Sequence, residues 1–244
     1  MKHACKILAV SAALLAAPAH GGPPFVTDDP QPTGYDHYEI YAFTAGTATR
    51  GGVGGAGGID FNYGAAPDLQ LTAVLPLAWD SPDVGRSVTG LGNVELAAKY
   101  KFLHQDSFGV DVAVFPRMFL PAGSADAGER HVSLLLPVWV GRSWEGWSTF
   151  GGGGCTLDHG GGSQNFCQVG WTVTHQFAEN LQLGAEVFHQ TADTKGGFAS
   201  TGAGLGVIYD LDERFHLLGS FNVGLQNAPD TNSHSWYLAV LSTF

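Results

Sequence analysis

From Tyr35 onward the chain reads as short segments in which apolar and polar residues alternate. That is the period of a β-strand, whose successive side chains point to opposite faces. Gly92–Leu103 is the cleanest case: Val94, Leu96, Ala98, Tyr100 and Phe102 oppose Asn93, Glu95, Lys99 and Lys101. The same pattern puts Leu69, Leu71, Ala73, Leu75, Leu77 and Trp79 on one face of Leu69–Trp79. Tyr35–Thr44, Val53–Tyr63, Phe108–Leu120, His131–Trp144, Trp147–Thr156, Phe166–Phe177, Leu181–Thr191, Phe198–Asp210, His216–Gln226 and Ser233–Phe244 complete a set of about twelve predicted strands. Short connections at Ala65–Asp68, His104–Ser107, Glu145-Gly146, Ala178–Asn180 and Asp212–Arg214 alternate with longer ones, which puts the short turns and both termini at one end. An even number of segments of about ten residues with two classes of loop is the signature of a transmembrane antiparallel up-and-down β-barrel, an all-β fold. The alternative is a soluble β-sandwich, which gives no reason for two loop classes.

Charge sorts the two faces. Opposite the apolar positions lie Glu39, Asp60, Glu95, Lys99, Lys101, Asp111, Arg117 and Glu186. A Lys or Arg facing lipid at mid-membrane would cost about 2–4 kcal/mol, so these eight are expected to line the lumen. Trp79, Tyr100, Trp144, Trp147, Trp171, Trp236 and Phe244 fall near predicted strand ends, where interfacial girdles sit. Two readings of the interior stay open: a salt-bridged network that braces a narrow barrel, or a wet passage whose charges set selectivity. Glycines such as Gly202, Gly204 and Gly206 leave room or let the sheet bend and do not decide between them.

Both ends carry further signals. Met1–Ala19 has a short basic region, an apolar core and Ala17-Pro18-Ala19, the build of a secretory signal peptide cleaved before His20. Residues 20–34 are too rich in proline to form a helix or a ladder and read as an extended arm, in the periplasm or tucked into the mouth of a barrel spanning 35–244. Gly22-Pro23-Pro24-Phe25, Thr27-Asp28-Asp29-Pro30, Gly34-Tyr35 and His37-Tyr38-Glu39-Ile40 resemble the opening of a bacterial outer-membrane family labelled "putative MetA-pathway of phenol degradation" or "transporter". Tyr38 stands where that family often has Trp. The resemblance implies an outer-membrane barrel, in Gram-negative bacteria, that conducts small hydrophobic or aromatic compounds. The last strand, with Trp236, Leu238, Val240, Ser242 and Phe244 on one face, resembles the closing strand that the barrel assembly machinery reads.

Composition excludes several classes. The 244 residues include 35 Gly, with 14% charged and a formal net charge of -11 that becomes -13 once Lys2 and Lys6 leave with the leader. An acidic chain gives no support for nucleic-acid binding. Removal of Cys5 leaves Cys155 and Cys167, on neighbouring predicted strands either side of an outer loop, as a disulfide candidate; two free thiols are the alternative. Only His104 with Ser107, His131 with Ser133, and Ser233-His234-Ser235 pair a base with a nucleophile, none with an orienting third group. The glycine runs at Gly51–Gly58 and Gly151–Gly154 lack the strand-turn-helix setting of a phosphate loop. No catalytic residue, metal or cofactor is expected. Passive movement of small molecules across the lipid is the leading expectation, with a plugged structural or adhesive barrel second and a lipid hydrolase third.

Overall fold

A computed structural model of the chain describes residues 23–122 and 131–244. The predicted signal peptide, residues 1–19, lies outside them. The strands are β1 (Tyr38–Thr49), β2 (Gly52–Ala66), β3 (Leu69–Pro82), β4 (Val88–Leu91), β5 (Val94–Leu103), β6 (Asp111–Val114), β7 (Arg117–Leu120), β8 (Ser133–Trp144), β9 (Trp147–Leu157), β10 (Phe166–Ala178), β11 (Leu181–Gln190), β12 (Ser200–Asp210), β13 (Phe215–Gln226) and β14 (His234–Thr243). Each pairs antiparallel with its neighbours, and β14 returns to pair with β1, from Glu39 with Thr243 to Ala48 with His234. Tyr38 and Phe244 close the seam by exchanging two backbone hydrogen bonds of 3.0 Å. The fold is therefore a closed, antiparallel, all-β barrel with the start of β1 and Phe244 at one mouth.

Fourteen segments make twelve staves, because two staves are broken. β4 and β5 both pair with β3, but the register slips by one residue across Gly92-Asn93, a bulge. β6 and β7 run on one line between β5 and β8, interrupted at Phe115-Pro116 because Pro116 has no N–H to give the ladder. Two long bonds of 3.2 Å, Ala98 N to Pro116 O and Phe115 N to Pro137 O, hold the gap closed.

Two expectations need correction. The first outer connection is not long: β1 and β2 run on through the glycines and are joined by Arg50 and Gly51 alone. Gly46 pairs with Gly55, and the bare backbone is covered from outside by indoles; a Cβ on Gly46 would stand 2.3 Å from Trp236. Poverty of side chains there disguised a strand as a loop. Nor does a strand begin at Phe108, which ends a one-turn helix, α1 (Gln105–Phe108), ahead of β6.

The outer surface is a belt of exposed aliphatics: Leu205 is 69% exposed, Leu75 56% and Leu238 55%, with Val240 and Phe244 beside them. A soluble monomer does not expose a contiguous belt of this kind; a lipid-facing wall must. Aromatic rings stack along both rims, Tyr38 on Tyr63 at 4.7 Å and Trp147 on His175 at 4.2 Å near the short turns, Trp79 on Trp236 at 6.3 Å towards the other mouth. At the short-turn end Asp212 accepts 2.8 Å bonds from the backbone N–H groups of Arg214 and Phe215, which hold its carboxyl below the usual carboxylate range. On the inner face Tyr41, Ile208, Leu218, Ala239 and Leu241 form a buried apolar cluster. Around this cluster β12 to β14 and β1 are thus apolar on both sides, a feature that alternation alone does not reveal.

Candidate functional site

The extended arm runs inside the barrel. From Pro23 to Thr33 its hydrogen bonds to the wall all involve side chains, among the described residues, so the arm is a guest of the lumen and not a thirteenth stave. It enters beside Gly64, whose carbonyl accepts from Asp36 N at 2.8 Å, and crosses towards β10 to β13.

Two walls hold it by different means. On β8 to β12 the seat is shaped by inward glycines. A Cβ on Gly184 would meet the Phe25 ring at 2.5 Å, one on Gly206 would meet it at the same distance, and one on Gly170 would meet Thr27 at 2.1 Å. Phe25 also packs edge-on against Phe150, ring centres 6.2 Å apart. Above this seat both oxygens of Glu186 accept backbone N–H groups of the arm, from Val26 and Thr27 at 3.0 Å each. Ser220 donates to the Pro24 carbonyl at 2.6 Å.

On β3 to β6 the arm meets charge. Lys99 reaches Asp28 at 2.9 Å, Asp29 at 3.9 Å and the Gln31 carbonyl at 3.3 Å. Lys101 donates to the Gln31 side chain at 2.9 Å, and that side chain donates to Asp111 at 2.8 Å. Gln70 accepts from the Thr33 backbone at 2.8 Å and ties it to Asn62 and Thr72. Beside the arm Arg117 binds Glu95 through two bonds of 2.7 and 2.9 Å, the fork geometry of the strongest ion pairs. Lys99 and Arg117 both sit over the Phe115 ring, 4.8 and 5.2 Å from its centre.

The arm leaves two chambers. The inner one, about 400 Å³, is lined by Glu39, Asp60, Glu95, Lys99 and Arg117 together with the rings of Phe25, Tyr41, Phe43, Phe115, Phe119 and Tyr237. The outer one, about 440 Å³, lies under the long loops; Val26 lines both and stands as the partition between them. A smaller side cavity of about 230 Å³ shares Gln168 with the outer chamber and Asn93 and Phe119 with the inner. Each chamber is of a size to take a small organic molecule.

All eight charged positions singled out in the sequence therefore face the interior. Glu39, Asp60, Glu95, Lys99 and Arg117 meet in the inner chamber; Lys101 and Asp111 sit at the arm's entry, and Glu186 grips its far end. Sequence reasoning missed the partners of these groups: Asp28, Asp29, Gln31 and Phe25 of the arm, and Gln70, Asn62 and Ser220 of the wall. The inward glycines at alternate strand positions were the available signal, since a lumen that must admit backbone needs them. Cys155 and Cys167 are bonded across β9 and β10 at the base of the loop Asp158–Asn165. The His–Ser pairs form no triad: His104 contacts Asp68 at 3.3 Å, His131 binds Asp158, and His234 stacks between Phe221 and Trp236 on the outer wall. Among the described residues no cluster of three or more His, Cys, Asp or Glu is placed to hold a metal.

Residues 40–239 match the family model described as "Putative MetA-pathway of phenol degradation". The chain belongs to this family. Among solved structures it is similar to the COG4313 outer membrane channel from Pseudomonas putida F1, with a TM-score of 0.73 and 13% identity over 92% of this chain and 100% of that one. It is also similar to the KdgM porin in complex with disordered oligogalacturonate (TM-score 0.60, 9% identity, 84% and 99% covered). A third likeness is to the NanC porin (TM-score 0.55, 8% identity, 84% and 98% covered). At these identities the likeness concerns the fold, which is that of outer membrane channels and porins. No curated protein sequence matches the chain.

Proposed function

We propose that this member of the family is an outer-membrane conduit for small molecules, passive and without a cofactor, whose lumen is occupied in the resting state by its own N-terminal arm. The observation that carries this reading is the arm's mode of attachment. A segment held only by side chains, between two solute-sized chambers, is a removable occupant, whereas a brace would be expected to join the sheet. The apolar cluster and the rings of the inner chamber suit a solute with aromatic or hydrophobic surface, in keeping with the family's label. The lipid-facing belt, the aromatic rims and the Phe244 strand suit insertion by the barrel assembly machinery after leader removal.

A specific observation favours a second reading, a plugged barrel with a structural role: Lys99, Lys101 and Arg117, inward-facing cations of the wall, are all already paired. Planar-bilayer conductance of the refolded chain with and without residues 23–33 separates the two. The conduit reading expects rare or small openings from the intact chain and steady ohmic steps from the shortened one, with ion preference altered by Glu95→Lys. A shortened barrel that folds, judged by a heat-dependent gel shift, yet stays electrically silent would sink it.

A further inference from the structure

The two chambers differ in chemistry. The inner one mixes acids with Lys99 and Arg117; the outer one has Asp193 and Asp230 in its lining and neither Lys nor Arg. Arg50, 3.7 Å from Asp230, sits outside the lining and is exposed. Phe188, packed over Gly202, and Phe198, on the loop after β11, line the outer chamber, as do the His189 imidazole, 2.8 Å from the Thr201 hydroxyl, and Trp139, whose ring is all but buried at 1% exposure. Three buried side-chain atoms of residues in this lining have no hydrogen-bond partner among the described residues: the carbonyl oxygen of Asn232, 7% exposed, the Thr27 hydroxyl and the Trp139 indole N–H. The loops around the chamber are tied together: Gln164 N and Lys195 N donate across to Asp193 O and Gly162 O at 2.8 Å each, above the Cys155–Cys167 bridge. The walls are thus preformed, which lowers the ordering cost of binding.

Aromatic rings, carboxylates and a bare carbonyl acceptor, with neither Lys nor Arg in the lining, are elements that recognise an organic ammonium ion. We infer that the outer chamber is a binding vestibule for a small ring-bearing organic cation, which it concentrates from outside while turning away carboxylates of the same size. The inference deepens the conduit reading but is tested by equilibrium binding, which needs no current, so a silent barrel can still bind.

The probe is benzyltrimethylammonium, with benzoate as the matched anion, added to the refolded mature chain in an uncharged detergent. Trp139 is the one tryptophan of six that lines this chamber, so its fluorescence reports occupancy. Saturable quenching by the cation, at least about tenfold tighter than by benzoate, is expected. Trp139→Phe should remove the quenching while calorimetry still detects binding, and Asp193→Asn with Asp230→Asn should erase the preference. Phe198→Ala, on an exposed loop, is a second variant should the double one fail to fold; it should weaken the cation several-fold. Equal affinity for benzoate, quenching that survives Trp139→Phe, or a preference untouched by both the double variant and Phe198→Ala overturns the inference.

Discussion

The glycine wall and the charged wall grip the same eleven-residue stretch of chain by opposite logic. Across β8 to β12 the fit is steric: absent side chains make a groove for Phe25 and Thr27, and Glu186 reads backbone N–H groups that any sequence would offer. Across β3 to β6 the fit is chemical: Lys99 and Lys101 read Asp28, Asp29 and Gln31, which few sequences would offer. Shape fixes where the arm lies; charge fixes which arm it is. A seat of the first kind is lost all at once when a methyl group intrudes. One of the second kind is lost in proportion to the charge removed.

The sharpest break of that contrast is Gly206→Val, because the three atoms nearest to a Cβ there all belong to the Phe25 ring. Two branches of carbon in the Phe25 groove leave the arm no place, and the variant should conduct like the chain lacking residues 23–33 while keeping its gel shift. Wild-type conductance would show that the groove is dispensable. Lys99→Met comes next: it strips a buried pair of one partner, a change that typically costs about 3–5 kcal/mol. Limited proteolysis should cut the arm in this variant and spare it in the wild type, and Lys99→Asp with Asp28→Lys should recover part of the protection. Glu186→Gln keeps one acceptor oxygen but removes the charge, an expected loss of about 1–3 kcal/mol read as faster amide exchange at Val26 and Thr27. Ser220→Ala should cost about 1 kcal/mol at the Pro24 carbonyl and slightly raise the frequency of brief openings. The smallest effect lies outside both walls. Asp212 has a folded-state pKa below its ordinary value, so its stabilising contribution is present at neutral pH and lost as pH falls through the carboxylate range. A difference in unfolding between wild type and Asp212→Ala should therefore exist at pH 7 and fade below about pH 4.

The contrast also marks what the sequence makes legible. Alternation is a local property, and it yields the staves, their inward charges and the terminal closing strand; Glu95, Lys99 and Arg117 face inward because no other face tolerates them. The arm's place depends instead on positions scattered over β8, β10, β11 and β12 that converge only after the sheet has curled, and a glycine does not announce what will lie on it. The same reason hides the first hairpin, where Gly46 and Gly55 carry no pattern until Trp236 and Trp79 fold over them. The inner apolar cluster is hidden by ambiguity, since Leu218 and Leu241 read as lipid-facing as readily as Leu217 and Val240.

The arm's attachment to β1 makes it a captive ligand. From Phe25 to Tyr38 is a tether of thirteen residues, whose full reach is about 45 Å, so a released arm stays at the mouth it left. A short flexible tether supplies its ligand at an effective concentration of about millimolar. A solute that shares the lumen with the arm thus competes with a local reservoir that dilution cannot lower, and a detached peptide of the same sequence would restore the closed barrel only at about millimolar concentration. On the conduit reading, occupancy of this lumen depends on the length of chain between Phe25 and Tyr38 as well as on the contacts inside it.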